Sequence, residues 1–451
     1  MDLSGCFKAY DVRGRVPAEL NPESVYRIGR AYADWLRPKR VAVGLDIRHS
    51  SSDLADALMR GLTDSGVDIV YIGMCGTENV YFATFSLGLD GGVMVTASHN
   101  PPDYNGLKFV REQSRPISGD TGLQEIRRLA EAGSFGDAPR QGTIETRDVL
   151  PAWRDHVLGY VDVAKLKPLS IVCNAGNGGA GIVVDLLEKQ LPMRFTKVHH
   201  EPNGDFPNGV PNPMIEENRK VTASAVRLAK ADMGIAWDGD FDRCFFFDEE
   251  GQFIEGYYIV GLLASTMLEQ HRGARIVHDP RLTWNTQSIV REHGGIPVQC
   301  KSGHAFMKHC MREADAIYGG EMSAHHYFRD FSYCDSGTIP WLIMAQILSR
   351  TGKPLSSLVQ ERIRQFPSSG EINRKIGDVA GAIAEVRSRY TAGSVKVEEV
   401  DGLSIEHPRW RFNLRTSNTE PLIRLNVESR GNEAMMKEKT DEILQVLAVY
   451  A

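Results

Sequence analysis

Short apolar runs alternate with longer amphipathic stretches along most of this chain. The pattern predicts a helix over about 22–36, the strand RVAVGLD at 40–46 and a helix through 54–62. The strand VDIVYIG at 67–73, the segment TENVYFATF at 77–85 and the strand GGVMV at 91–95 follow. Strands separated by helix-length crossovers signal βαβ units, because parallel neighbours need a connection long enough to return over the sheet. From Pro139 to about Pro151 the chain turns polar and aperiodic, which marks an exit from a first domain.

A second series opens with the strand LSIVC (169–173), the glycine loop NAGNGGAG (174–181) and an apolar helix at 182–191. The Pro/Gly/Asn-rich loop HHEPNGDFPNGVPNP follows, then the strands MGIAW and CFFFD on either side of WDGDFDR. A third series runs through a helix at 257–270, the strand RIVHD, a helix past Trp284, the strand IPVQC and the strand DAIYGG. QFPSSGEIN (365–373) has the composition of a linker, and beyond it the strands WRFNL and LIRLNVES belong to a smaller tail. The expected fold class is α/β: three similar αβα domains with mixed, mainly parallel sheets at 1–150, 151–252 and 253–366, plus a C-terminal α+β domain at 367–451.

Composition narrows the function. The 451 residues are 42% hydrophobic and 24% charged, ordinary for a globular protein of several domains. A net charge of −6 and a pI near 6.1 argue against nucleic acid or an anionic membrane as partner. Seven scattered cysteines without CxxC spacing indicate neither a disulfide framework nor a zinc site, and suit a reducing cytoplasm. The N-terminus has no apolar signal-like core, and the longest apolar runs are too short to span a bilayer, so a cytoplasmic location is expected.

Four loops carry candidate chemistry. In TASHNPPDYNGLKF (96–109), Ser98 stands where a buried strand opens into a loop, the usual address of sites in open α/β sheets. Turn formers around Asn100 and Asn105 bring Lys108 back toward it. Taken alone, this is equally a strand-end turn with an incidental serine.

WDGDFDR crowds Asp238, Asp240 and Asp242 into one short loop. Two such charges about 4 Å apart repel by roughly 4 kcal/mol at an effective dielectric near 20, so a cation belongs among them, and Mg²⁺ suits an all-oxygen set. An EF-hand competes, since the three aspartates and Glu249 fall at positions 1, 3, 5 and 12. Arg243 occupies the position that turn reserves for glycine, and strands flank the loop.

GEMSAHHYF gathers Glu321, Ser323, His325 and His326 at a strand end, with side chains suited to vicinal sugar hydroxyls. No third nitrogen or sulfur stands at zinc spacing. RTSNTEP (415–421) offers Arg415, Ser417, Asn418 and Thr419 as donors for a phosphate. The glycine loop NAGNGGAG, lacking a Walker lysine, reads as a tight structural turn.

These motifs, in this order, resemble the α-D-phosphohexomutase superfamily, and within it the bacterial phosphomannomutases. The resemblance extends from CFKAYDVRG near the start to RTSNTEPLIRLNVESRG near the end. It implies a four-domain architecture around a central cleft and a Ser98 carried as phosphoserine. Asp238, Asp240 and Asp242 would hold Mg²⁺ together with a phosphate oxygen on Ser98, with Arg243 beside them. It implies sugar hydroxyls on Glu321 and Ser323, and a non-reacting phosphate on Arg415, Ser417, Asn418 and Thr419, with Arg424 in the same substrate set. Arg13, Lys108, His304 and His325 would line the reaction centre, while His99 and Asn100 shape the serine loop. Many relatives place lysine where this chain has Arg281 in DPRLT, so Arg281 carries only a phosphate-contact role here.

The implied reaction interconverts mannose 6-phosphate and mannose 1-phosphate through a hexose 1,6-bisphosphate, with glucose phosphates as further substrates, in the supply of GDP-mannose for polysaccharide. The partners expected are small hexose phosphates, on a monomer or small homo-oligomer. A phosphoglucosamine mutase fits less well, because Met322 stands where those relatives usually have glutamine. A dedicated phosphoglucomutase, a metal-dependent sugar phosphatase and a non-catalytic sugar-phosphate sensor are the remaining alternatives.

Overall fold

The computed structural model describes residues 1–416 and 422–451, which pack as two compact units. One comprises 1–253 and 325–352, the other 254–324 and 353–451.

In the first unit a sheet runs in the spatial order Val12–Arg15, Tyr104–Arg111, Gly91–Val95, Arg40–Leu45, Asp68–Met74, Ile144–Thr146. The last four strands are parallel, and Tyr104–Arg111 turns back antiparallel to Gly91–Val95. The helix Pro22–Leu36 starts where the sequence marks it. Asn21 accepts from the Ser24 amide, Ser24 caps the Asn21 amide in return, and Pro22 takes the first turn, where no amide partner is needed. It crosses Ser51–Asp64 closely because Gly61 lets the backbones meet: a Cβ there would lie 2.4 Å from the Tyr26 carbonyl. TENVYFATF becomes the helix Thr77–Ser86, with eight consecutive buried residues, Thr77 to Thr84. A helix covered all round shows no amphipathic stripe, which is why periodicity left it unassigned.

A second sheet in this unit orders Cys244–Phe247, Met233–Trp237, Ser170–Asn174 and Arg194–Val198, the first pair antiparallel and the rest parallel. The polar stretch after Pro213, to which the pattern assigned no element, forms the helix Glu216–Ala229. It buries only Thr222 and Val226, too narrow a stripe to read from sequence. Residues 325–352 contribute the short antiparallel strands His326–Phe328 and Cys334–Asp335 and the buried helix Ile339–Thr351.

In the second unit Arg275–His278 lies between Ile296–Gln299 and Tyr318–Gly320, all parallel. The C-terminal part is an antiparallel sheet in the order Ile372–Lys375, Leu422–Ser429, Trp410–Thr416, Leu403–Glu406, Lys396–Glu398. Phe412, Leu414, Ile423, Leu425 and Val427 form its core with Ile443 and Leu447 of the helix Glu433–Ala448. The linker-like run 365–373 is an ordered sheet edge: Ser369 exchanges hydrogen bonds of 2.9 Å with the backbone of Val427. Among the described residues no helix is long and apolar enough to cross a membrane.

Candidate active site

Ser98 follows directly on the parallel strand Gly91–Val95 and adopts a left-handed backbone, φ 49°, uncommon for a residue with a side chain. The surroundings enforce it. Its amide donates to Thr96 Oγ1 at 2.9 Å, and Thr96 Oγ1 donates to Asp46 Oδ2 at 2.7 Å. Arg48, 3% exposed, binds four carbonyls of the loop, those of Ser98, Asn100, Pro101 and Tyr104, at 2.6–2.9 Å. Neither Asp46 nor Arg48 was among the expected site residues. Their signal lies in DIRHS: an aspartate and an arginine just after a buried strand, at the same sheet end as the serine. Replacing Arg48 by methionine is expected to lower stability by about 3 kcal/mol or more, because it orphans buried carbonyls. Thermal or urea unfolding checks this; unchanged stability would deny Arg48 that part.

Asp238, Asp240 and Asp242 occupy the hairpin loop between Met233–Trp237 and Cys244–Phe247, and all three are at most 2% exposed. Flanking antiparallel strands exclude the EF-hand, which needs helices. Ser98 Oγ donates to Asp238 Oδ2 at 2.7 Å. Gly239 allows this meeting, since a Cβ at that position would sit 2.4 Å from the Ser98 carbonyl. Lys108 Nζ donates to Asp240 at 2.7 Å and Asp242 at 2.6 Å, Thr77 Oγ1 donates to Asp240 at 2.6 Å, and Arg243 Nε donates to Asp238 at 2.9 Å. Thr77, at the start of a helix, is a further participant that the sequence reading missed.

The charges are mutually dependent. Burial disfavours ionisation of every member, but Arg243 and His99 together outweigh it at Asp238, and Lys108, His325 and Arg243 together outweigh it at Asp242, leaving both acids below the ordinary carboxylate range. Asp240 is pushed upward by burial and by Asp242. Lys108 is raised despite burial, because Asp240 and Asp242 hold it charged. One ligand oxygen from each aspartate lies within 4.8 Å of the others, and among the described residues the buried Oδ1 atoms of Asp240 and Asp242 have no hydrogen-bond partner. An all-carboxylate set with orphaned oxygens fits a hard divalent cation.

The remaining expected residues of this unit gather here. Arg13 donates to Asp11 at 2.7 Å and to Asn100 Oδ1 at 2.6 Å. His99 Nδ1 contacts both Ser98 Oγ and Arg243; burial, then Arg243, lowers its pKa to about 4, so it stays neutral. His325 forms a backbone bridge with Arg243, and its Nε2 stands 3.6 Å from Asp242 and 3.9 Å from Asp335. Asp242 raises its pKa against the effect of burial. His326 is fully buried, with a pKa lowered to about 3 by burial. The two histidines therefore do not act as one cluster, because neighbouring residues of an extended segment face opposite ways.

In the second unit, Arg281 links the expected sugar and phosphate residues. It binds Asp279 Oδ2 at 2.6 Å, reaches Ser323 Oγ at 3.4 Å and lies 3.6 Å from both Glu321 and Glu371. Asp279 also accepts from the Met322 amide at 2.8 Å, which ties DPRLT to GEMS. The Gly303 amide, just before His304 at the head of the helix His304–Ala314, donates to Glu321 at 2.8 Å. Arg415 pairs with Glu371 at 2.7 Å, and Arg424 lies 3.8 Å from it. Glu371, hidden in the linker-like run, is thus the shared counter-charge of three arginines; burial opposes its charge, and Arg281 and Arg415 outweigh it. Ser417, Asn418 and Thr419 lie outside the described residues.

Comparison with known proteins agrees with this layout. Residues 4–137, 151–251 and 255–366 match the phosphoglucomutase/phosphomannomutase alpha/beta/alpha domains I, II and III, and 371–445 match the C-terminal domain. A phosphomannomutase of Escherichia coli is 58% identical over 450 residues, 98% of this chain and 99% of its own. A phosphomannomutase of Vibrio cholerae is 54% identical over 453 residues, and phosphohexose mutases of Xanthomonas campestris are 56% identical over 441, each covering 98% of both chains. A solved phosphoglucomutase/phosphomannomutase family protein of Burkholderia thailandensis superposes with a TM-score of 0.90 at 32% identity, covering 100% of this chain and 98% of its own. The open form of Paramecium parafusin, a phosphoglucomutase, shares the fold at 16% identity, with a TM-score of 0.77 over 98% of this chain and 94% of its own. Four domain types in one order, with relatives alike nearly end to end, place the chain in the phosphoglucomutase/phosphomannomutase family of phosphohexomutases.

Proposed function

We propose that this phosphohexomutase interconverts mannose 6-phosphate and mannose 1-phosphate, with activity on glucose phosphates, by way of a phosphorylated Ser98. The observation that carries the reading is Ser98 Oγ hydrogen-bonded to the buried aspartate loop. A phosphoserine adds about −1.5 to −2 charge, so beside three carboxylates it requires cations. Asp238, Asp240 and Asp242 are the residues that would hold Mg²⁺, which when bound neutralises the phosphoryl oxygens.

In the forward half-reaction a sugar hydroxyl oxygen attacks the phosphorus of phosphoserine. The P–Oγ bond breaks, the new P–O bond forms, and the hydroxyl proton passes to a basic group. The product is a hexose 1,6-bisphosphate, which also serves as activator. Once turned end for end, it returns its other phosphate to Ser98 and leaves as the isomeric monophosphate. Lys108, Arg13 and Arg243 hold positive charge around the transferring group, and His99 and Asn100 fix the serine loop. His325 and His304 are the candidates for moving the proton. Glu321 and Ser323 hold the C3 and C4 hydroxyls, which are alike in mannose and glucose, so the loop admits both sugars. Arg281, Arg415, Arg424, Ser417, Asn418 and Thr419 hold the non-reacting phosphate.

The same reading divides the chain into a serine domain (1–150), a metal domain (151–252), a sugar domain (253–366) and a phosphate domain (367–451), in a cytoplasmic enzyme that feeds GDP-mannose synthesis as a monomer or small homo-oligomer. To test it, mannose 1-phosphate or glucose 1-phosphate is supplied with Mg²⁺ and a trace of the 1,6-bisphosphate, and both 6-phosphates and free phosphate are followed. The expected result is 6-phosphate without net phosphate release. Net release would make the protein a phosphatase, and no product from either sugar would sink the proposal.

A further inference from the structure

The Pro/Gly/Asn-rich loop 199–213 and the glycine loop 174–181 meet at Asn177, a buried residue with a left-handed backbone, φ 58°. Its amide donates to the His199 carbonyl at 2.7 Å, and its carbonyl accepts from the Asn203 amide at 2.9 Å. Its Nδ2 donates to the Glu201 carbonyl at 2.8 Å, and its Oδ1 accepts from Asn208 Nδ2 at 2.8 Å. All four polar groups of Asn177 therefore hold the longer loop. Pro211 closes the far end over Gly176, where a Cβ would lie 2.4 Å from Pro211 Cβ.

So pinned, the loop lies as a strap along residues 47–49. A Cβ on Gly204 would come within 2.7 Å of the Ile47 carbonyl, and Asp205 pairs with His49 at 2.8 Å. The next residue, Phe206, is 4% exposed, and its ring centroid is 5.1 Å from the guanidinium carbon of Arg48. Phe206 has φ 47°, an outlier for so bulky a side chain. The turn enforces it, since the Phe206 amide donates to the Asn203 carbonyl at 3.1 Å and the Phe206 carbonyl accepts from the Gly209 amide at 2.9 Å. A strained backbone that sets an aromatic face over a buried cation points to a role beyond filling space.

We propose that Phe206 is a positioning residue for the Ser98 loop, acting through Arg48. The Arg48 guanidinium donates to the carbonyls of Ser98, Asn100, Pro101 and Tyr104, and a planar guanidinium engaged in this way still offers its faces to a ring. Phe206 covers it, and the Arg48 side chain is fully shielded from solvent. Without the ring, water reaches the guanidinium and competes for the same carbonyls, and the loop that aims Ser98 Oγ at Asp238 loosens. Glu321, Ser323 and Arg415, the groups assigned to the substrate, belong to the other compact unit, so the loss falls on kcat and spares KM. The effect on turnover rests on the function proposed above; the ordering of the loop does not.

Hydrogen–deuterium exchange and steady-state kinetics on the full chain test this. In Phe206→Leu, which keeps an apolar side chain and removes the aromatic face, amides of residues 98–104 are expected to exchange about tenfold or more faster, with those of Gly91–Val95 unchanged. The same variant should lose about tenfold or more in kcat at an unchanged KM. Phe206→Tyr, which keeps the ring, should behave as wild type. Gly204→Ala, which lifts the strap from Ile47 and leaves Phe206 and Arg48 in place, should reproduce Phe206→Leu. His49→Ala, which removes only an exposed pair with Asp205, should change neither readout. Unchanged exchange at 98–104, equal acceleration across the whole sheet, or Phe206→Tyr as impaired as Phe206→Leu overturns the proposal. Faster exchange with undiminished kcat overturns the catalytic part of it. If the wild-type chain shows no mutase activity at all, the exchange pattern still decides whether Phe206 orders the loop.

Discussion

Ser98→Ala is expected to cut mutase turnover by on the order of 10⁵-fold, the scale seen when a covalent nucleophile is removed. The fold should survive. The Ser98 backbone is held by Thr96 and Arg48, neither of which touches its hydroxyl. What is lost is the oxygen that carries the phosphoryl group, along with one hydrogen bond to Asp238. That carboxylate keeps Arg243 as partner, so the stability change should stay near 1 kcal/mol. Purified wild type should also carry one phosphate in intact mass, and Ser98→Ala none. Full turnover by the variant would exclude the phosphoserine route.

Removal of the divalent ion should be nearly as damaging. Chelation is expected to lower turnover by about 10³-fold or more, since a metal at a phosphoryl group supplies several kcal/mol of charge stabilisation. Adding Mg²⁺ back should restore wild type. Asp240→Asn should not be restored at the same concentration, because the carboxylate it loses is the member whose charge the protein alone supports least. The variant keeps an acceptor for Thr77 and Lys108, so loss of structure is not the explanation if it melts like wild type. Isothermal titration with Mg²⁺ separates the cases: undiminished affinity in Asp240→Asn would remove that residue from the ligand set.

Much of the site was legible because its residues come in tight local clusters. Three aspartates at alternate positions between two strands have few explanations, and the antiparallel pairing of Met233–Trp237 with Cys244–Phe247 is the context they required. The parallel strand ahead of Ser98 was equally readable from its apolar run. Residues that act through non-local geometry were not. Arg48 earns its place by reaching four carbonyls some fifty residues away, and its position just after a buried strand does not specify which carbonyls it meets. Glu371 sat in a stretch of Ser, Pro and Gly that composition assigns to a linker. The contiguous motif GEMSAHHYF was misleading in the other direction, because it spans the boundary at which the chain leaves one compact unit for the other.

By itself the sequence determined the alternation of strands and helices, the strand-end placement of the serine and aspartate loops, and the family. Each of these depends on short-range patterns of polarity, turn formers and charge. Only the tertiary structure decided that Ser98 meets Asp238, that Lys108 bridges Asp240 and Asp242, and that Glu371 gathers Arg281, Arg415 and Arg424. The physical reason is burial. A carboxylate withdrawn from water must find its counter-charge wherever folding delivers one, and that partner is set by how strands and loops pack rather than by distance along the chain.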